Sequence, residues 1–244
     1  MIYVYAITDQ STATLPPISG LEEAPLRDIV CRRISGVVSD FPHREIAPTR
    51  DSLWKHEEIV ETLMAVRTIL PVRFGALLAE ETALQQALLA HYDELVADLD
   101  RVRGCVELGL RVLWQDEEAL SIAERKQELT ASDGRSYMFA RLQQERESQA
   151  QYRRAEELAL RIHIPLDALA KESSHALLVT PRLLLNAVYL VKEEAIAPFQ
   201  QEVKSLQVAH PALSLLCTGP WPPYSFVQTG AYTLRHKEGY HVQF

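Results

Sequence analysis

The sequence predicts an α+β protein of two domains, in which N-terminal strands with two helices precede a helical segment and a ferredoxin-like sandwich. Three observations support this fold class. Residues 1–115 alternate β-rich runs with two amphipathic helical runs, residues 116–172 are charged and helix-prone, and residues 173–244 return to a strand–strand–helix–strand order. We expect domain boundaries at these positions, with the helical segment belonging to the C-terminal domain.

The N-terminal domain begins with strands. Residues 2–8, "IYVYAIT", are rich in β-branched and aromatic side chains, which predicts a buried strand. Residues 24–42 read as two short strands around Ser35 and Gly36, which predicts a hairpin. These strands would form the sheet of the first domain.

Two helical runs follow, and we expect both to lie on one face of that sheet. The first begins after Pro48, with Thr49, Asp51 or Ser52 as alternative N-caps. The second covers residues 82–102, where Thr82 and Gln85 fit a capping box and Gly104 ends the helix. Its apolar stripe consists of Leu84, Leu88, Tyr92, Leu95 and Leu99.

An arginine interrupts the apolar run "TILPVRFGALL" at residues 68–78. Strand alternation places Arg73 on the face opposite to its apolar neighbours. Residues 105–114 alternate as a half-buried strand, with Glu107 on its polar face. If the two strands are neighbours, Arg73 and Glu107 pair across the sheet, so we favour a structural role for both over catalysis or ligand binding.

The rest of the chain contains a helical segment and a second α+β pattern. Residues 143–157 have little apolar surface, which is typical either of a solvated helix between two domains or of a helix that needs a partner. The following β-β-α-β order accounts for half of a ferredoxin-like sandwich. Its members are residues 174–180, 184–191, 193–207 and 212–219.

Composition and spacing exclude several kinds of protein. The net charge of -8 without a basic cluster argues against nucleic-acid and lipid-membrane partners. Three widely spaced cysteines argue for a reducing cytoplasm, and the first ten residues do not resemble a signal peptide. The chain lacks phosphate-binding glycine motifs, zinc-binding histidine spacings and a GxSxG elbow. We therefore expect no catalytic residues, cofactor or metal, although sites assembled from distant residues stay open.

A stiff aromatic turn lies near the C-terminus, in "TGPWPPYSF". Its aromatic residues are Trp221, Tyr224 and Phe226, and three prolines are interleaved with them. The rings either plug an edge of the core, with the prolines setting the path of the chain, or form an exposed platform for a partner. The first reading is favoured, and the second makes these three residues a candidate partner surface.

Five stretches of the chain resemble the gas vesicle protein family GvpF/GvpL. They are "YVYAI" (3–7), "LWKHEEIVETLMAVRTILPVRFG" (53–75), "GCVELGLRV" (104–112), "GRSYMFAR" (134–141) and "LLCTGPWPPYSFV" (215–227). The second and last are long and specific, and one departure is Ala76, where a small hydroxyl residue is expected. Compact length and short termini favour an F-type member.

The resemblance implies a non-enzymatic minor component of gas vesicles, the cytoplasmic gas-filled protein shells that provide buoyancy. It implies a need in vesicle formation, contact with the major shell protein GvpA, and two α+β domains of ferredoxin-like character. Such a protein would limit GvpA aggregation or sit on the shell at nucleation. No catalytic residues are carried over.

Known modes of protein binding can explain how such a protein would contact an apolar subunit. Open sheet edges can add a strand from an apolar subunit, and apolar surface near Trp221 and Tyr224 can cover it. The competing hypothesis is a small-molecule-binding or catalytic domain, because ferredoxin-like folds serve many functions.

Overall fold

A computed structural model describes residues 1–9, 14–115, 134–177 and 183–227 of the chain. They form two compact units. The first contains the described residues of Met1–Val106 together with residues 221–227, and the second contains those of Glu107–Pro220. Each unit combines helices with an antiparallel sheet, so the protein is α+β, as predicted.

The described part of the first unit contains a five-stranded sheet. Its strands are β1 (Ile2–Asp9), β2 (Arg27–Cys31), β3 (Ile34–Asp40), β4 (Ile69–Pro71) and β5 (Leu77–Leu78). The order is β2-β3-β1-β4, and β5 pairs with the beginning of β1 on the same side as β4. The buried strand predicted at residues 2–8 is thus confirmed, and it is central to the sheet.

The predicted hairpin is also present, but its turn lies elsewhere. Strands β2 and β3 pair from Cys31 with Ile34, so the turn consists of Arg32 and Arg33. Arg32 adopts a positive φ of 55°, a conformation that tight turns require. Ser35 and Gly36 belong to β3 itself, because their neighbours continue the β-branched run on both sides.

The first unit has three helices in its described residues, at α1 (Arg50–Met64), α2 (Glu81–Ala90) and α3 (Tyr92–Val102). The Thr49 hydroxyl accepts a hydrogen bond from the Ser52 N–H at 3.2 Å, which selects Thr49 from the three predicted N-caps. The second helical run is divided at His91, and α2 starts after Glu80 without a side-chain cap. The capping box predicted for it is therefore wrong.

Helices cover both faces of the first sheet, not one face as expected. Val37 of β3 belongs to the same buried cluster as Ile59 and Leu63 of α1. Its neighbour Gly36 points to the opposite face, where an added Cβ atom would lie 2.8 Å from the Leu84 side chain of α2. Coverage on both sides explains why β1 is buried along almost its whole length and reads as a continuous apolar run.

The second unit is a complete ferredoxin-like sandwich. Its elements are β6 (Cys105–Trp114), α4 (Gly134–Asp167), β7 (Glu172–Leu177), β8 (Leu183–Lys192), α5 (Ile196–Ala209) and β9 (Leu213–Trp221). The chain order is β-α-β-β-α-β, and the four described strands lie in the order β7-β8-β6-β9. The half that sequence reasoning recognised is thus completed by β6 and α4.

These units differ from the predicted domain boundaries in two places. Strand β6 lies in the second sheet although it was assigned to residues 1–115, because its alternating pattern shows a half-buried strand without showing which sheet receives it. Residues 221–227 group with the first unit, whereas the boundaries predicted from the sequence include them in the C-terminal domain.

Helix α4 has two halves of different character. Its C-terminal half buries a stripe of four apolar residues against the sheet, namely Ala155, Ala159, Ile162 and Leu166. Its earlier turns are exposed, including Met138, Phe139 and Leu142. The low apolar content predicted for residues 143–157 therefore corresponds to a helix that is solvated before it reaches the core.

Candidate functional site

Arg73 and Glu107 occupy positions that differ from the prediction. Arg73 is exposed and follows the end of β4 in the first sheet. Glu107 is buried in β6, which belongs to the second sheet. The expectation that their strands are neighbours in one sheet is therefore wrong, whereas a pairing of the two side chains stays a prediction. Because Arg73 is exposed, it does not carry the cost of a buried charge. A structural role for each residue stays a prediction.

The aromatic turn, defined here as residues 221–227, has one exposed ring and two that point inward. Trp221 is 45% exposed, whereas Phe226 is 6% exposed. Tyr224 is half-buried and packs against the core of the first unit. The buried Phe226 ring fits the favoured reading, in which the rings plug an edge of the core, and the alternative of a partner surface at these residues stays a prediction.

The Tyr224 hydroxyl connects the turn to helix α1. It donates a hydrogen bond to the Glu57 carboxylate, with oxygen–oxygen distances of 3.2 and 3.3 Å. The same hydroxyl lies 3.4 Å from Nε2 of His56, the residue before Glu57 in the helix. A segment 167 residues away in sequence is thereby attached to α1.

A hydrogen-bond chain continues from His56 into the sheet. His56 Nδ1 lies 2.9 Å from the hydroxyl of Tyr3 on β1, and the Gly75 N–H donates to that hydroxyl at 3.0 Å. We call the series Gly75, Tyr3, His56, Tyr224 and Glu57 the His56 chain. It connects three of the stretches on which the family resemblance rests, namely those at residues 3–7, 53–75 and 215–227.

A neutral His56 satisfies every group in this chain. Because Gly75 donates to the Tyr3 oxygen, the Tyr3 O–H is available to donate to Nδ1. The proton of the imidazole then sits on Nε2, which faces the Tyr224 oxygen while the Tyr224 O–H donates to Glu57. We assign the tautomer from this network.

Burial makes the neutral form of each member more favourable. His56 is fully buried, and desolvation lowers its pKa to about 4, with a hydrogen bond to the Val72 backbone acting in the opposite direction. Desolvation likewise raises the pKa of Tyr3 and of Tyr224. It also raises the pKa of Glu57, and the nearby charge of Glu61 adds to this effect while the Tyr224 hydrogen bond opposes it.

Aromatic rings enclose the imidazole. Tyr5 stacks on His56 with ring centroids 5.9 Å apart and an interplanar angle of 27°. Phe74 meets the same ring edge-on at 5.7 Å and 86°. This packing leaves His56 in an apolar shell that explains the desolvation.

Helix α3 holds the other end of the aromatic turn. Arg101 donates a hydrogen bond to the Phe226 carbonyl and pairs with the Asp98 carboxylate at 2.7 Å. Asp98 is buried, so the guanidinium is oriented by a partner that is itself fixed. The turn is thus attached to two helices of its unit by side chains.

The chemistry of this cluster is that of a structural core. Both nitrogens of His56 face tyrosine hydroxyls, and both tyrosines hold their protons more tightly than usual. In the part of the chain that the structure describes, no group of three or more His, Cys, Asp or Glu side chains is arranged to hold a metal ion. Of the helices described, none is long and apolar enough to cross a membrane.

Sequence reasoning did not single out His56, although a signal was present. His56, Ile59, Val60 and Leu63 recur at helical spacing and are all buried. A histidine on the apolar stripe of a helix is more often a satisfied core residue than a ligand, and that general expectation holds for His56. Its partners Tyr3 and Tyr224 are distant in sequence and give no local signal.

Comparisons with known proteins agree with this architecture. The chain is similar to gas vesicle protein F2 of Halobacterium salinarum, with 26% identity over 93% of this chain and 91% of that protein. It is also similar to gas vesicle protein L of Streptomyces sp., with 28% identity over 92% and 91% of the two chains. Because F-named and L-named relatives have similar identities, the F type stays a prediction.

Solved structures and a family model complete the comparison. The fold matches the crystal structure of GvpF from Anabaena sp. PCC7120 with a TM-score of 0.75 and 21% identity, covering 98% of this chain and 99% of that one. GvpF from Microcystis aeruginosa matches with the same TM-score and 20% identity, over 93% and 99% of the chains. The family model of gas vesicle synthesis protein GvpL/GvpF matches residues 1–228. The chain therefore belongs to the GvpL/GvpF family and is a gas vesicle-associated protein with an accessory role.

Proposed function

We propose that this protein binds the major shell subunit GvpA and limits its aggregation while the gas vesicle forms, without catalysing a reaction. The family membership supplies the gas vesicle context. Shell subunits that assemble through apolar surface need a partner that covers this surface before assembly.

The observation that carries the proposal is apolar surface at open sheet edges. Within the described residues, β2 ends the first sheet and β7 and β9 end the second. Val30 on β2 and Leu216 on β9 are each 49% exposed. An edge strand with exposed apolar side chains can offer backbone groups and apolar contact to an added strand, which supports binding by strand addition.

The proposal of a non-catalytic role is supported by the state of the titratable groups. The buried histidine of the first unit is engaged at both ring nitrogens, and its low pKa is explained by burial in a packed aromatic shell. A general base needs access to a substrate proton, which this packing does not provide.

Co-expression with GvpA tests the proposed function. We expect the intact protein to raise the soluble fraction of GvpA and to co-purify with it. A double variant Val30→Lys and Leu216→Lys places charges at both edges and should lower the soluble fraction. Leu142→Lys, which makes the same kind of change at an exposed position on the early turns of α4, should act like the unaltered protein. An unchanged soluble fraction with and without the protein would contradict the proposal.

Deletion of the gene in a vesicle-forming cell tests the role in the cell. We expect flotation to be lost, and immunolabelling of purified and stripped vesicles then separates a shell component from a chaperone that leaves. Normal flotation without the protein would contradict a need for it in vesicle formation.

A further inference from the structure

Helix α1 presents exposed apolar side chains next to the aromatic turn. Trp54 is 66% exposed and Leu53 is also exposed on this helix. Trp54 lies one helical turn before Glu57, and Glu57 is where the Tyr224 hydroxyl meets α1. Trp221 lies three residues before Tyr224 in the same stiff turn, with Pro222 and Pro223 buried between them. Trp54 and Trp221 are therefore each three residues from one member of the contact between Glu57 and Tyr224.

Two carboxylates that have no ion-pair partner among the described residues lie on the same face of α1. Glu57 and Glu61 are one turn apart, and the charge of Glu61 contributes to the raised pKa of Glu57. Two bases lie nearby in sequence, and neither pairs with these carboxylates. Lys55 pairs with Glu58 at 3.1 Å, and the Arg50 guanidinium lies 5.9 Å from the centroid of the Trp54 ring. Among the described residues, neither Glu57 nor Glu61 has an ion-pair partner.

We propose that the α1 surface, formed by Leu53, Trp54, Glu57, Glu61 and Trp221, docks an amphipathic helical segment that carries Lys or Arg beside its apolar face. The exposed indoles provide apolar contact area and faces for cation–π contacts. The two carboxylates select basic side chains, since a partner cation relieves their mutual repulsion. A net charge of -8 for the chain acts in the same direction during approach.

The His56 chain prepares this surface. It attaches Tyr224 to Glu57 from inside the unit, while Arg101 holds the Phe226 carbonyl from α3. The turn that carries Trp221 is therefore placed beside α1 before any partner arrives, so less conformational entropy is lost on binding. The inference rests on the proposed function for the identity of the partner, but the chemistry of the surface is testable independently.

A pair of synthetic peptides tests the chemistry. The probe is an amphipathic helix of Leu and Lys, and its control has the same Leu spacing with Glu in place of Lys. Binding to the full-length protein is measured by fluorescence anisotropy. We expect the Leu/Lys peptide to bind at least about tenfold more tightly than the Leu/Glu peptide and to weaken with added salt.

Variants at exposed positions locate the surface. Trp54→Ala and Glu61→Lys should each weaken Leu/Lys peptide binding by about tenfold, and Glu61→Lys should strengthen binding of the Leu/Glu peptide. Glu147→Lys, which makes the same charge change at an exposed position of α4, should leave both affinities unchanged. Thermal unfolding of each variant verifies that the fold is retained.

Failure of this inference differs from failure of the proposed function. If the intact protein, Trp54→Ala and Glu61→Lys all retain GvpA equally, the α1 surface is wrong and the proposed function stands. If the intact protein does not retain GvpA but the peptides behave as expected, the proposed function is wrong and the surface stands. Equal binding of both peptides, or self-association that Trp54→Ala abolishes, would overturn the surface as a site for a basic partner.

Discussion

Two buried histidines, one in each unit of the described structure, use the same partner in different surroundings. His56 Nδ1 lies 2.9 Å from the Tyr3 hydroxyl, and His163 Nδ1 lies 2.9 Å from the Tyr189 hydroxyl. The second nitrogen of His56 faces Tyr224 inside an aromatic shell. The His163 ring instead lies 4.1 Å from the ring of His175, an exposed residue of the edge strand β7.

The difference shows what each pair contributes. The His56 chain connects residues from four distant parts of the sequence, so its hydrogen bonds set the position of the aromatic turn. His163 and Tyr189 connect α4 to the adjacent strand β8 at the border of the second core. We call the His56 chain closed, because both ring nitrogens face tyrosine hydroxyls, and the cluster of His163, Tyr189 and His175 open, because it lies beside an exposed edge strand. The stability of the fold should change strongly when a group of the closed network gains or loses a proton, and weakly in the open cluster.

The largest expected effect is the loss of stability of the first unit in acid. The pKa of His56 is about 4 when folded against its ordinary 6.5, so the folded state favours the neutral ring. Its contribution is fully present above about pH 6.5, decreases as the pH falls, and levels off below pH 4, with a total of about 3 kcal/mol. The free energy of unfolding, obtained from hydrogen exchange of α1 in denaturant at several pH values between 4 and 7, measures this contribution.

Two controls isolate this contribution. His56→Gln should flatten the pH dependence, and an NMR titration of the intact protein should show the His56 ring changing near pH 4. Glu57 acts in the opposite direction because its raised pKa favours the protonated carboxyl when folded, so Glu57→Gln should steepen the loss in acid. A His56 ring that titrates near 6.5 in the folded protein would contradict the prediction.

The sequence predicts the closed cluster only in part. The start of α1 follows from Thr49, and the burial of His56 follows from the stripe that it shares with Ile59 and Leu63. The contact of Tyr224 with Glu57 spans 167 residues, and a local pattern contains no information about such a contact. The aromatic turn was recognisable, but which of its rings face inward depends on that contact.

The fold shows the same limit. The alternation in β6 predicts a half-buried strand, but a period of two does not identify the sheet that receives it. The expectation that the strands predicted to carry Arg73 and Glu107 are neighbours is wrong for this reason. The two strands lie in different sheets. Coverage of both faces near Gly36 also depends on where α2 packs. The apolar stripe of α2 shows which side of the helix is buried but not which face of the sheet it covers.

The next largest effect separates the two tyrosines. Tyr3→Phe leaves His56 Nδ1 without a donor in a fully buried site, which should cost about 1–3 kcal/mol in the free energy of unfolding. Tyr189→Phe removes the same bond from His163, but the exposed edge strand nearby allows water to compensate, so we expect less than about 1 kcal/mol. Denaturant unfolding of the two variants compares them, and equal costs would show that closure of the network has no energetic effect.

A smaller effect is expected for the turn itself. Tyr224→Phe keeps the ring but removes the donor to Glu57, which should cost about 0.5–1.5 kcal/mol and increase hydrogen exchange of residues 221–227. The pKa of Glu57 should rise further, since the hydrogen bond from Tyr224 lowers it. Tyr152→Phe, at an exposed position of α4, is the matched control. Unchanged exchange in the turn would mean that the prolines and Arg101 suffice to hold it.

The smallest effect concerns the open cluster. Desolvation lowers the pKa of His163, the neighbouring His175 lowers it further, and Asp167 raises it. His175→Ala removes the like charge, so the pKa of His163 should rise but stay below 6.5 because burial persists. The acid-induced loss of stability of the second unit should then become shallower by less than about 1 kcal/mol. NMR titration of His163 measures the change, and His56 serves as an internal reference that should not move, because its lowered pKa comes from burial without a second histidine beside it. If the pKa of His163 stays the same without His175, burial alone accounts for its lowering, as it does for His56. The two clusters would then differ in whether their hydrogen-bond networks are closed, but not in the effect of a neighbouring charge.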